Sequence, residues 1–161
     1  MKRIYSILVE NRSGVLAKVA GLFWRRCFNI DSLTVGETED SAVSNMVIVS
    51  SGEERTLQQV EKQLNKKLDI IKVRTFQESQ GILRELLMVK LRYKRDNRKD
   101  IMENCQILGA TIVELSKSQM VIEMCDTPER INMFLETWKS VSILECARTG
   151  TLSMLKIAEG S

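Results

Sequence analysis

The pattern of apolar and polar positions in the first half of the chain switches between strand and helix character. The stretch from Arg3 to Glu10 is rich in apolar and β-branched residues, which predicts a buried strand. From Val15 onward, apolar residues recur at i, i+1, i+4, i+7 and i+8, which is one face of a helix. The next elements are two strands, a helix and a closing strand, predicted at 30–35, at 46–49, from Thr56 and at 69–76. The second helix is predicted to bury one face, made of Leu57, Val60, Leu64 and Leu68.

A polar stretch without a hydrophobic period, Gln77 to Gly81, separates that segment from a second one with the same order of elements. The second helix of this later segment begins with Thr127 and Pro128, which are typical of an N-cap and a first helical position. The elements of the later segment are predicted at 85–93, 96–108, 110–115, 120–124, from Thr127 and at 142–148. We therefore predict two domains, residues 1–77 and 84–161, joined by a linker at 78–83.

The order strand, helix, strand, strand, helix, strand occurs twice and predicts the α+β class. Each βαββαβ segment is typical of a ferredoxin-like domain, in which an antiparallel sheet carries both helices on one face. The other sheet face and the edge strands stay uncovered. This arrangement favours a homo-oligomer, with sheets joined edge to edge or packed face to face.

The residue types exclude several kinds of chemistry. The chain has no histidine, which excludes a Ser-His-Asp triad, a Cys-His pair, a histidine zinc site and a histidine general base. Its four cysteines are far apart and form no CxxC motif, so neither a zinc ribbon nor a dithiol site is expected. Cys105, Cys125 and Cys146 are expected to be small buried residues. No carboxylate pair suited to acid–base catalysis is found near Gly14, which argues against an independent enzyme.

The sequence also carries predictions about location and partners. It shows no secretory signal and no apolar run of the ~20 residues that span a bilayer, so we expect a cytoplasmic protein with reduced thiols and no membrane partner. The net charge of +3 is evenly spread except for a basic excess at 90–99. That segment is either a solvated surface or a docking site for an acidic partner or an anion. Nucleic acid is not expected, because Tyr5 is the only candidate for base stacking on the first and third strands.

The junction between the first strand and the first helix, ENRSGVL at 10–16, holds the candidate chemistry. A helix N-terminus has unpaired N–H groups that hold a carboxylate, and Gly14 has no Cβ to keep a ligand away from them. Asn11 offers both a donor and an acceptor, as a zwitterionic amino acid requires. Taken singly, however, Asn11 is also an ordinary turn residue and Asn29, near the end of the first helix, an ordinary helix-ending residue.

Four segments together resemble one family. NRSGVLAKVAGLF, NIDSLTV, EKQLNKKLDI and ECARTG follow in the order found in the regulatory (small) subunit of acetohydroxyacid synthase, also called acetolactate synthase, which has an N-terminal ACT domain. The resemblance covers residues 2 to about 150. It implies a subunit without chemistry of its own that activates a catalytic large subunit and confers feedback inhibition, usually by valine. The cofactors thiamine diphosphate, Mg²⁺ and FAD belong to that catalytic partner, which makes the precursors of valine, leucine and isoleucine.

The resemblance also implies where the effector binds. ACT domains of this family pair side by side as a homodimer, and the effector lies at their interface. In this sequence Asn11, Gly14, Val15 and Leu16 would hold it from one chain, with Asn29 and Ile30 from the neighbour.

Two residues near this site depart from the family. Cys27 replaces a usual glycine, and Trp24, either a core or an interface residue, replaces a small or polar one. The alternative is an ACT-type amino-acid-sensing module that regulates a different enzyme or a transcription factor. The later segments EKQLNKKLDI and ECARTG favour the synthase.

Overall fold

The computed structural model describes residues 1–26 and 28–157, so the prediction about Cys27 lies outside the described residues. The chain forms two compact units. Met1–Leu83 and the segment from Thr151 make the first, and Arg84–Gly150 makes the second. The segment from Thr151 thus groups with the first unit, whereas the sequence analysis assigned it to the second domain.

The first unit has the predicted βαββαβ order. Its elements are β1 (Lys2–Glu10), α1 (Val15–Trp24), β2 (Asn29–Glu37), β3 (Val43–Ser51), α2 (Glu54–Leu64) and β4 (Ile70–Phe76). The strands form one antiparallel sheet in the order β2-β3-β1-β4, which makes β2 and β4 its edges. This is the predicted ferredoxin-like arrangement.

The core of the first unit lies between the sheet and its two helices. Alternate residues of β1 point into it, and Tyr5 donates a hydrogen bond of 2.9 Å to the carbonyl oxygen of Leu57. Val15, Val19 and Phe23 of α1 and Leu57, Val60 and Leu64 of α2 complete the same core. Leu68, predicted on the buried face, is instead 98% exposed because α2 ends at Leu64 and the chain turns away.

The second unit repeats the order. Its elements are β5 (Gly81–Arg92), whose first three residues belong to the first unit, α3 (Arg98–Leu108), β6 (Thr111–Leu115), β7 (Gln119–Asp126), α4 (Pro128–Thr137) and β8 (Ser142–Arg148), with strand order β6-β7-β5-β8. A short 3-10 turn, Glu78–Gln80, leads directly into β5, so half of the expected linker is strand. The Thr127 side chain accepts a hydrogen bond from the Arg130 N–H at the start of α4, which confirms the predicted N-cap.

The second core buries only one of the three cysteines predicted to be internal. Cys105 of α3 is buried, and burial raises the pKa of its thiol to about 11. Cys125 and Cys146 are exposed, so that prediction was wrong for both. Cys125 follows the buried Met124 and therefore points to the opposite face of β7, away from the helices. Cys146 lies on the edge strand β8, all of whose residues are exposed.

A final strand, β9 (Leu152–Leu155), was not predicted. It pairs with β5, and the Thr151 N–H donates to the Ser32 hydroxyl oxygen over 2.6 Å. A small apolar cluster lies on this side of the first sheet, opposite its helices, and consists of Ile4, Val47, Val49, Phe76 and Leu83. The segment from Thr151 thereby covers part of the sheet face that the helices leave open.

Candidate functional site

The turn between β1 and α1 requires a glycine. Gly14 has φ +85°, in the left-handed region, and its absent Cβ would contact no atom within 4 Å. The requirement therefore comes from the backbone conformation and not from crowding. Any residue with a Cβ would be strained here by about 1–2 kcal/mol. The open space above Gly14 also leaves the backbone accessible to a ligand.

The N-terminus of α1 has no side-chain cap and no acidic residue in its first turn. The Val15 N–H donates to the Arg12 carbonyl oxygen at 3.4 Å, and the N–H groups that follow it keep the partial positive charge of a helix start, which favours an anion such as a carboxylate. Val15 is buried in the core, whereas Leu16 is 42% exposed beside this turn. Val15 therefore holds the helix in place, and Leu16 offers an apolar surface to a ligand.

Asn11 joins the turn to the far end of β2. Its side-chain amide donates to the Ser41 carbonyl oxygen at 2.8 Å and to a Glu37 carboxylate oxygen at 3.0 Å. Its backbone N–H donates to the Ala42 carbonyl oxygen at 2.8 Å. The donor side of Asn11 is therefore used within the chain, and its side-chain oxygen is what remains for a ligand ammonium group.

Asp69 is a residue of this region that the sequence analysis missed. Its carboxylate pairs with Lys18 of α1 at 2.8 Å and with Arg12 of the turn at 3.1 Å. The Lys18 hydrogen bond, together with the charges of Lys18 and Arg12, lowers the pKa of Asp69 and outweighs the opposing effect of burial. These ion pairs connect the start of α1 to the residue before β4. No spacing in the sequence could have indicated it, because Arg12 and Asp69 are 57 positions apart.

Asn29 and Ile30 begin β2. Asn29 is exposed, its side-chain amide donates to Asp31 at 2.8 Å, and its carbonyl oxygen accepts a 2.7 Å bond from the Ser50 hydroxyl. The register with β3 shifts between Ile30 and Ser32, which is a bulge at Asp31. Both predicted site residues thus lie at a locally irregular end of an edge strand.

Within one chain the two halves of the predicted site lie at opposite ends of the sheet. Asn29 pairs with Ser51, which pairs with Lys2 at the beginning of β1. Asn11, in contrast, follows Glu10 at the other end of β1. Eight strand steps of ~3.3 Å separate the two ends, about 26 Å. The structure therefore groups Asn11, Gly14, Val15 and Leu16, and does not bring Asn29 and Ile30 to them.

The basic segment at 90–99 in the second unit lines a shallow groove of about 470 Å³ with Arg95, Arg98 and Lys99. Three of its cationic side chains already interact with groups within the chain. Lys90 pairs with Glu145 at 3.0 Å, Lys99 pairs with Glu103 at 3.7 Å, and the Arg98 guanidinium lies 5.9 Å from the ring centre of Tyr93. In the part of the chain that the structure describes, no cluster of residues is suited to hold a metal ion. No described helix is long and apolar enough to cross a membrane.

Comparison with known proteins extends over both units. Residues 5–72 match the AHAS small subunit-like ACT domain, and residues 84–157 match the small subunit of acetolactate synthase. The chain is 42% identical to a probable acetolactate synthase small subunit of Archaeoglobus fulgidus, over 97% of this chain and 98% of the relative. It is 36% identical to the acetolactate synthase isozyme 3 small subunit of Escherichia coli, over 96% of this chain and 95% of that one.

A solved structure agrees with these matches. The crystal structure of the acetolactate synthase small subunit from Thermotoga maritima superposes with a TM-score of 0.91 at 32% identity, over 98% of this chain and 99% of that one. Both the sequence and the fold thus match along nearly the whole length. The chain belongs to the family of acetolactate synthase small subunits.

Proposed function

We propose that this protein is the regulatory subunit of acetolactate synthase, which activates a catalytic large subunit and makes it sensitive to valine. The regulatory role is supported mainly by the start of α1 after Gly14. This helix start has no cap and offers an open site for a small carboxylate. The family membership of both units supports the pairing with a catalytic subunit. The chemistry, with thiamine diphosphate, Mg²⁺ and FAD, would belong to that partner.

Valine fits the chemistry of the turn at 11–16. Its carboxylate would accept hydrogen bonds from the first N–H groups of α1, and its ammonium group would meet the side-chain oxygen of Asn11. Two exposed aliphatic side chains, Leu16 and Val35, are available for its isopropyl group. Val35 pairs with the buried Met46 and so lies on the helix side of β2, two residues before the Glu37 that binds Asn11.

A second copy of the chain would complete the site. Antiparallel pairing of β2 with the partner's β2, centred on Leu33, sets Asn29 of each chain opposite Glu37 of the other. Glu37 is the residue to which Asn11 donates. One pairing of this edge strand would therefore assemble two equal sites, each with Asn11 and Gly14 from one chain and Asn29 and Ile30 from the other.

The substitution Gly14→Asp tests the siting. It introduces a Cβ at φ +85° and a carboxylate where the carboxylate of valine would lie, so titration calorimetry should detect no valine binding. Gly109→Asp is a matched control, because Gly109 also has a left-handed backbone, φ +74°, and open space, but follows α3 in the second unit. It should bind valine as the wild type does. Wild-type valine affinity in Gly14→Asp would refute the site.

Two surfaces remain as docking sites for the catalytic subunit, an open sheet face and the basic segment at 90–99. The sheet face of the first unit is partly covered by the segment from Thr151. That of the second unit exposes Leu86 and Met88 of β5. We favour this second sheet face, because the basic segment already directs three of its cationic groups to partners within the chain.

A further inference from the structure

One flank of α1 exposes apolar and small side chains. Leu16, Ala20 and Trp24 recur every four residues and so share one side of the helix. Trp24 is 79% exposed, which excludes it from the core, whereas Val19 and Phe23 on the adjoining face of the helix are buried. A large exposed aromatic side chain beside small residues is typical of a surface that another protein covers.

The ion pair of Lys18 shows which way this flank faces. Lys18 reaches Asp69, the residue before β4, over 2.8 Å. In a helix, residues 16, 20 and 24 lie on the side roughly opposite residue 18. Since β4 and β2 are the two edges of the sheet, the flank with Leu16 and Trp24 faces the β2 edge.

The charges along the β2 edge favour a second copy of this chain as the partner that binds there. Arg25 and Arg26 follow α1 next to the beginning of β2, both are exposed, and together they outweigh the exposed Asp31, so this end carries a net positive charge even though Arg26 also donates to Gln59 at 3.1 Å. The other end of β2 and its turn carry the exposed acids Glu37, Glu39 and Asp40. A second copy docked antiparallel sets the basic end of each chain against the acidic end of the other, whereas parallel docking would oppose like charges.

Antiparallel docking also sets the two α1 helices side by side in opposite directions. The Trp24 end of one helix then meets the Gly14 end of the other, and Ala17, Ala20 and Gly21 allow the helices to approach closely. At Gly21 an added Cβ would contact no atom within 4 Å, so there is room for a neighbour. We propose that the partner's Trp24 packs over Leu16 and forms the outer wall of the effector site, an inference that rests on the proposed function.

A wall of this kind has two consequences. It removes water from the helix start, which strengthens the hydrogen bonds to the bound carboxylate. It also limits the size of the aliphatic side chain that fits beside Leu16. Trp24 is therefore assigned as a residue that determines the choice among valine, leucine and isoleucine, although it lies ten positions away from Gly14 in the sequence.

Fluorine NMR of the full chain labelled with 5-fluorotryptophan tests the packing directly. The two tryptophans, Trp24 and Trp138, give two resonances, which Trp24→Phe assigns, and Trp138 is a buried internal reference. At concentrations where sedimentation shows a dimer, the resonance of Trp24 should be as insensitive to exchange of H₂O for D₂O as that of Trp138. It should become sensitive on dilution to the monomer. A Trp24 that stays exposed in the dimer overturns the proposal.

Calorimetry of Trp24→Ala tests the role in selectivity. We expect the affinity for valine to fall about tenfold. The affinities for leucine and isoleucine should fall less, because a site without the Trp24 ring has room for the extra methylene of these ligands. Ile107→Ala is the matched control, since Ile107 is 77% exposed on α3, and it should leave all three affinities unchanged. An unchanged preference in Trp24→Ala refutes the wall while leaving the valine site standing. A wild type that binds no valine, with Trp24 sheltered in the dimer, refutes the proposed function and supports the packing alone.

Discussion

Gly14 and Gly109 show how one backbone conformation serves two purposes. Both glycines have a left-handed backbone and open space where a Cβ would be. Gly109 ends α3, where the helix carbonyl groups repel an anion, whereas Gly14 precedes α1, where N–H groups attract one. The residue type alone does not separate these cases. What separates them is the helical period that begins after Gly14 and stops before Gly109.

At the same scale, Asp69 gives a prediction about pH. Its pKa is lower in the folded chain than the ordinary value of 3.8, so its ion pairs stabilise the fold above about pH 4 and are lost as the pH falls through the lowered pKa. Asp69→Asn should therefore lower the melting temperature at pH 7, and the difference from the wild type should shrink as the pH falls below about 4. Thermal unfolding followed by circular dichroism measures both. The exposed Asp96→Asn should change neither value, and a difference for Asp69→Asn that grows toward low pH would contradict the assignment.

Among the elements, β8 is held by polar contacts because none of its side chains is buried. Arg148 forms two hydrogen bonds with Glu85 of β5, at 2.6 and 2.9 Å, and a third with Asn132 of α4 at 3.0 Å. The Glu85 hydrogen bonds raise the pKa of Arg148. Glu85 is only 5% exposed, so its charge depends on this one partner far more than a surface carboxylate would.

Arg148→Met should consequently destabilise the second unit by about 2–3 kcal/mol, because it leaves a buried carboxylate without its cation. Urea unfolding measures the change. The control is Lys90→Met, which removes the exposed pair of Lys90 with Glu145 and should cost less than about 1 kcal/mol. Equal losses for the two variants would show that burial of Glu85 is not what makes the Arg148 pair important.

At the scale of the whole molecule, the sheet faces and edges that the chain leaves uncovered determine where a partner can bind. The segment from Thr151 closes part of the first sheet, and in the second unit the open sheet face keeps Leu86 and Met88 exposed. Since a protein interface buries apolar residues at its centre, we propose the second face as the surface for the catalytic subunit. We propose the edge strand β2 as the contact with a second copy of the chain.

Reconstitution with the catalytic subunit tests this division. Leu86→Glu combined with Met88→Glu should reduce activation about tenfold by placing charges in an apolar interface, with valine binding to the isolated subunit unchanged. Arg95→Glu combined with Arg98→Glu should leave activation intact. The reverse result would place docking on the basic segment. A chain that activates no acetolactate synthase but co-purifies with another enzyme or a transcription factor would support the alternative sensing role.

Local patterns sufficed for most elements and for the position of the turn at 11–14 before α1. The period that begins at Val15 and the pair Thr127 and Pro128 mark helices that the structure confirms, because helix starts depend on neighbouring residues. Local patterns did not predict β9. This strand buries Ser153 and exposes Leu152 and Met154, whereas strands usually bury the apolar and expose the polar residues. Such a strand is stabilised by its pairing partner, and the pairing is not visible in its own four residues.

The sequence by itself determined the order of elements within the two βαββαβ repeats, the absence of histidine chemistry and the turn with Asn11 and Gly14, since each depends on residue type and short-range period. The tertiary structure decided where distant residues meet. Only strand register shows that Asn29 lies about 26 Å from the turn in one chain, and only the fold brings Asp69 to Lys18. The physical reason is that register and packing are set by contacts between segments far apart in the chain, which no local pattern records.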